Sequence, residues 1–186
     1  TRKALSKEVD PDKLPKVADK FYDRFLGLAQ WVAAMRGVVG RDKYTREIQY
    51  KPTSEIGTRL AKQFCKLAMG IAIYHRKSTI DEDVYQMIVK VAKDTAPDRV
   101  EEVVKQMYMK TSETFASTND ISEWTKFPTG TLVNVLDDLR MLSIVRKDPS
   151  RRGYWALSKA MLRKMKPLKL YEKEEAWTGK KKGRKE

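Results

Sequence analysis

Apolar residues recur at helical spacing along most of the chain. Between Lys16 and Arg36, the positions Val17, Phe21, Phe25, Leu28, Val32 and Met35 step by three or four, which places them on one face of a helix that Gly37 ends. Residues 38–52 interrupt the pattern with charged and aromatic side chains and read as a loop or weak hairpin. The stepping resumes over 54–74 in Ile56, Leu60, Phe64, Leu67, Ile71 and Tyr74, so two matching helices are expected to pack together. A third helix is expected after Ser78. Thr79 and Glu82 have the spacing of a capping box, acidic residues 81–83 suit a first turn, and Val84, Ile88 and Val91 form the buried side. Pro97 marks the junction to a fourth helix over 98–109, which buries Val100, Val103, Val104 and Met107.

The second half has shorter periods. Thr118-Asn119-Asp120 reads as a helix start, followed by Ile121 and Trp124 as a short apolar face, and Phe127-Pro128 breaks this helix after two turns. Thr129 is then expected to cap a helix striped by Leu132, Val135, Leu136, Leu139 and Leu142. Residues 144–147 and 154–157 are two short β-prone runs around Asp148-Pro149-Ser150-Arg151-Arg152-Gly153, the composition of a hairpin turn. A last helix over 158–166 stops at Pro167. The expected fold is mostly α: a helical bundle over 1–95, three helices with a β-hairpin over 96–166, and a basic C-terminal tail over 167–186.

Charge adds a functional direction. The 186 residues carry 39 Lys+Arg against 25 Asp+Glu, a net charge of +14, with one His and one Cys. Residues 1–95 hold 19 basic and 12 acidic side chains, residues 96–142 hold 5 and 8, and residues 143–186 hold 15 and 5. The excess after Leu142, +10, points to nucleic acid. One Cys excludes an internal disulfide framework, and one Cys with one His cannot complete a zinc site. No run approaches the roughly 18–20 apolar residues of a membrane span, and no signal-peptide pattern opens the chain, so a cytoplasmic protein without a membrane partner is expected. The chain opens at Thr1 rather than Met, as a fragment of a longer protein would.

The order of helix, short helix, tight turn, longer helix and basic hairpin in residues 98–158, with the segment Thr118 to Leu136 at its centre, resembles the winged helix-turn-helix family. In that family the second helix of the motif enters the major groove and the wing lies over the backbone or minor groove. The resemblance implies double-stranded DNA as partner. Thr129, Thr131 and Asn134 would then sit on the recognition helix, Lys126 just before it, and Arg146, Lys147, Arg151, Arg152 and Tyr154 on the wing. Cations would meet phosphates and polar side chains the base edges, although Asp137 and Asp138 on the same helix oppose strong base reading.

Gly57 to Ala72 together with Ser78 to Val84 is similar to the C-terminal helical lid of AAA+ ATPases of the MCM-helicase and archaeal origin-recognition type, in which a winged helix follows the lid. That resemblance implies a nucleotide-sensor role for Arg59, whose alternative is an i, i+4 pair with Glu55. The loop Arg41-Asp42-Lys43-Tyr44-Thr45-Arg46 has arginines for phosphates and Tyr44 for base stacking.

Much chemistry is absent from the sequence. There is no G-x-x-x-x-G-K-[ST] phosphate loop and no catalytic constellation, so the chain is not an enzyme by itself and has no cofactor of its own. ATP would enter only through a longer parent protein. His75 is read as a partner of a helix C-terminus, Cys65 as a small buried hydrophobe, and the scattered Met residues as gap fillers. The favoured function is a DNA-binding module from a DNA-associated ATPase, partnered by an ATPase core domain or by further copies of itself. The alternatives are a stand-alone transcription regulator that dimerises through its N-terminal helices, and an interaction module that recruits replication or repair enzymes.

Overall fold

The computed structural model describes residues 14–40, 42, 57–111 and 114–171. The expectations for the basic loop after Gly40 (Asp42 apart), for Ile56 and for the Lys180–Lys185 run lie outside these residues. Four longer helices come first: α1 (Asp19–Met35), α2 (Gly57–Tyr74), α3 (Glu82–Thr95) and α4 (Asp98–Lys110). Strand β1 (Ala116–Ser117), helices α5 (Thr118–Thr125) and α6 (Thr129–Met141), strands β2 (Val145–Lys147) and β3 (Tyr154–Leu157), helix α7 (Lys159–Met165) and a 3-10 turn (Lys166–Leu168) follow. The molecule is mostly helical with a small three-stranded antiparallel sheet.

Helix α1 buries the expected Phe21, Phe25, Leu28, Val32 and Met35, and Trp31 besides. Helix α2 differs from its sequence stripe. It buries Leu60, Phe64, Ala68 and Ala72, whereas Leu67 and Tyr74 face solvent at 41% and 61% exposure. The start of α2 lies close against α1, where a Cβ on Gly57 would sit 3.2 Å from the main-chain nitrogen of Gln30. Helix α3 buries Val84, Tyr85, Ile88, Val89 and Ala92, while Val91 is exposed. Its cap is Asp81, whose carboxylate accepts the Val84 N–H at 3.1 Å, and not the expected Thr79–Glu82 pair. Glu82 is engaged elsewhere. Arg24 of α1 donates to it through both terminal nitrogens, at 2.6 and 2.8 Å, and stacks on the Tyr85 ring with its guanidinium carbon 3.6 Å from the centroid. Arginine's planar fork suits this bidentate geometry, and the flat face left over covers an aromatic ring.

In the second half, α5 begins with a reciprocal capping box. Ser117 accepts the Asp120 N–H, and Asp120 accepts the Ser117 N–H. The helix thus starts at Thr118, as predicted, with Ser117 as its cap. Lys126, with φ of 61°, ends α5 in the left-handed conformation. Pro128 and not Thr129 occupies the N-cap of α6, and Pro97, at the expected junction, occupies that of α4. The hairpin forms as expected, with Val145 opposite Leu157 and Lys147 opposite Trp155. The strand β1 is an addition that the sequence did not signal. It pairs Ala116 with Trp155 and gives the sheet the order β1-β3-β2.

One contiguous apolar core runs through both halves, from Phe21 on α1 to Tyr171. Its closing piece corrects the expected boundaries, because residues 167–171 are no solvated tail. Leu168, Leu170 and Tyr171 are buried, and the Tyr85 hydroxyl donates to the Leu168 carbonyl at 3.0 Å. Tyr171 packs its ring 5.8 Å from that of Tyr108 on α4. A Cβ on Gly27 would come within 2.9 Å of Leu168 Cδ2, so the closing segment lies directly against α1, and a side chain there would require the Leu168 side chain to shift.

Candidate nucleic-acid interface

The hairpin turn is ordered by Asp148. One carboxylate oxygen accepts the N–H groups of Ser150 and Arg151 at 2.9 and 3.3 Å, and the other accepts Arg151 Nε and Nη2 at 2.9 and 2.8 Å. The Ser150 N–H first and the Arg151 guanidinium second hold this carboxyl below its ordinary range. Gly153 takes a φ of 75°, a conformation natural to glycine, and closes the turn. Its carbonyl accepts the Thr118 N–H at 2.8 Å and the Thr118 hydroxyl at 3.0 Å. The same hydroxyl accepts the Trp155 indole N–H at 3.1 Å. The turn is thus pinned to the start of α5.

The cations predicted on the hairpin occupy unlike settings. Lys147 is exposed, with its ammonium 5.0 Å from the Trp155 ring centroid. Arg151 is exposed although it is paired to Asp148, and it lies 4.2 Å over the half-buried Tyr154 ring. Arg152 is exposed at the tip. Arg146 is half-buried, with its guanidinium 4.3 Å over the ring of Phe115. Stacking on aromatic faces fixes long side chains that would otherwise lose rotamer freedom on meeting a ligand. Arg146 is thereby turned toward the sheet more than toward a ligand.

On α6 the buried residues Leu132, Leu136 and Leu139 leave Gly130, Val133, Asn134 and Arg140 facing out. Thr129 is exposed at its start and Thr131 is half-buried. Asn134 spends one amide hydrogen on the Gly130 carbonyl at 3.2 Å. Its remaining donor and its oxygen are free to join the Arg140 guanidinium and the Thr129 hydroxyl as polar functions of this face. Asp137 is half-buried beside Arg140, 3.6 Å from its Nε, so an arginine partly neutralises the acid that argued against binding. Lys126 is exposed at the end of α5. The sequence placed Asp148 in the turn and Thr118 at a helix start without assigning either a role in holding the hairpin, and it did not single out Arg140.

In the first half, Arg59 is exposed on α2 beside Lys62 and Lys66. His75 sits exposed just past α2 with its ring edge-on to Tyr74 at 5.2 Å. Cys65 is half-buried rather than fully buried, and burial pushes its thiol pKa up. Among the described residues no group of three His, Cys, Asp or Glu is placed to hold a metal ion, and no helix is long and apolar enough to cross a membrane. Compared with protein-family models, with curated proteins and with solved structures, the chain finds no match.

Proposed function

We propose that residues 96–165 are a winged helix that binds double-stranded DNA, with α6 as recognition helix and residues 147–154 as wing. The observation that carries this reading is the preorganised turn. Asp148 shapes it, Thr118 ties it to α5, and Lys147 and Arg152 project from it without an acidic partner among the described residues. A fixed cationic protrusion beside a helix whose outward face carries few polar groups suits phosphate contact with limited base reading. The sheet order β1-β3-β2, with α5 and α6 between β1 and β2 in sequence and α4 just before them, fits the same family. In this reading the bundle before residue 96 is the lid of an AAA+ ATPase whose nucleotide-binding core lies in a longer parent chain.

Titration of duplex DNA at several salt concentrations tests the proposal. Binding should weaken steeply as salt rises, and Lys147→Ala with Arg152→Ala should flatten the slope of log K against log salt by about 1–2. An unchanged slope removes the wing from the interface.

A further inference from the structure

The hairpin leaves the positive charge of the first half unexplained, and α2 carries part of it. From Gly57 to Tyr74 the helix contains three Lys and Arg residues and no acidic residue. Arg59, Lys62 and Lys66 fall at i, i+3 and i+7, so they share one face of α2. All three are exposed, and none has an ion pair with another described residue. Together with Thr58 and Gln63 they line an open cavity of about 380 Å³. The opposite face of the helix is fixed, because Leu60, Phe64, Ala68 and Ala72 are buried. The cationic face is therefore held outward by packing.

We infer that this face of α2 is a second nucleic-acid surface, one that grips the phosphate backbone without reading sequence. The inference rests on the DNA-binding reading above only for the identity of the polyanion. Seven residues of helix span about 10 Å, over which duplex DNA presents about six phosphate charges. Three cations spread along that length match a row of phosphates better than the single phosphate implied by a sensor role for Arg59 alone. Thr58 and Gln63 supply the hydroxyl and amide donors that accompany lysine and arginine on a backbone. Acidic residues, which elsewhere in this molecule claim the cations at Lys77 and Arg24, pair with none of these three among the described residues.

The test uses the full chain and a labelled duplex of arbitrary sequence, titrated at several salt concentrations. The triple change Arg59→Gln, Lys62→Gln, Lys66→Gln keeps good helix formers on an exposed face, and circular dichroism verifies the fold. It should flatten the salt slope by about 2–3. Lys62→Gln with Lys66→Gln, leaving Arg59 in place, should flatten it by about 1–2. Loss of effect in this double variant would overturn the inference, because the surface would reduce to one arginine. If only the wing variants lower affinity, α2 is excluded while the proposed function stands. If only the α2 variants do so, the inference stands and the wing reading falls. Absence of duplex binding by the unaltered chain at low salt overturns both.

Discussion

The Tyr85 hydroxyl, on the third helix, donates a 3.0 Å hydrogen bond to the main-chain carbonyl of Leu168, 83 residues later in the chain. Tyr85 is fully buried, and its ring also carries the Arg24 guanidinium. The link joins the N-terminal helices to the segment that closes the core behind the hairpin. Tyr85→Phe keeps the ring and strands the Leu168 carbonyl, and should cost about 1–2 kcal/mol in urea unfolding.

Two truncations separate the contribution of the closing segment from that of residues 172–186. A chain ended after Tyr171 keeps the whole closing segment and serves as the reference. One ended after Met165 loses the buried Leu168, Leu170 and Tyr171. At about 1.5–3 kcal/mol for each large apolar side chain, that loss is comparable to the whole stability of a small domain. Thermal unfolding of the two truncations checks this, and equal midpoints would contradict it.

Glu82 should make stability depend on acid pH. Two hydrogen bonds from Arg24 are the main reason that its pKa is lowered from 4.5 to about 2. The folded pKa is the depressed one, so the stabilisation is present above about 4.5 and is lost as pH falls toward 2. The side chain is 44% exposed, and solvent screening reduces the contribution to about 1 kcal/mol. Glu82→Gln should lower stability by that amount at pH 7 and by much less near pH 2, as read by urea midpoints at the two pH values.

Thr118 couples the hairpin turn to the start of α5. Thr118→Val removes the acceptor of the Trp155 indole N–H and one of the two donors to the Gly153 carbonyl. The expected destabilisation is about 1–2 kcal/mol. Hydrogen exchange at residues 150–154 should quicken, since the turn loses half of its tether. Exchange unchanged from the parent chain would place the rigidity of the turn in Asp148 alone.

Asp148 restrains the charge of Arg151. Asp148→Asn retains an oxygen for the Ser150 and Arg151 N–H groups while removing the negative charge that pairs with the guanidinium. Duplex DNA should then bind more tightly, with the salt slope steepened by up to about 1. Weaker binding would mean that the carboxylate is needed to aim the arginine.

Periodicity carried most of the secondary structure. The stripe from Phe21 to Met35, the stripe from Leu132 to Leu139 and the two runs around the Pro/Gly turn each became the element they predicted, because each follows from residues near in sequence. The failures share a cause. Ala68 and Ala72 displaced Leu67 and Tyr74 from the interface because close helix packing favours small side chains, a preference that no apolar count registers. Glu82 left its expected cap for Arg24, 58 positions earlier in the chain. Residues 167–171 read as tail because their partners lie far away in α1, α3 and α4. The sequence by itself determined the helices, the hairpin and the excess of positive charge, all set by local spacing and composition. Only the tertiary structure decided which cations stand unpaired on a surface and which are held by Asp148, Glu82 or an aromatic ring, because those pairings depend on contacts that chain order does not reveal.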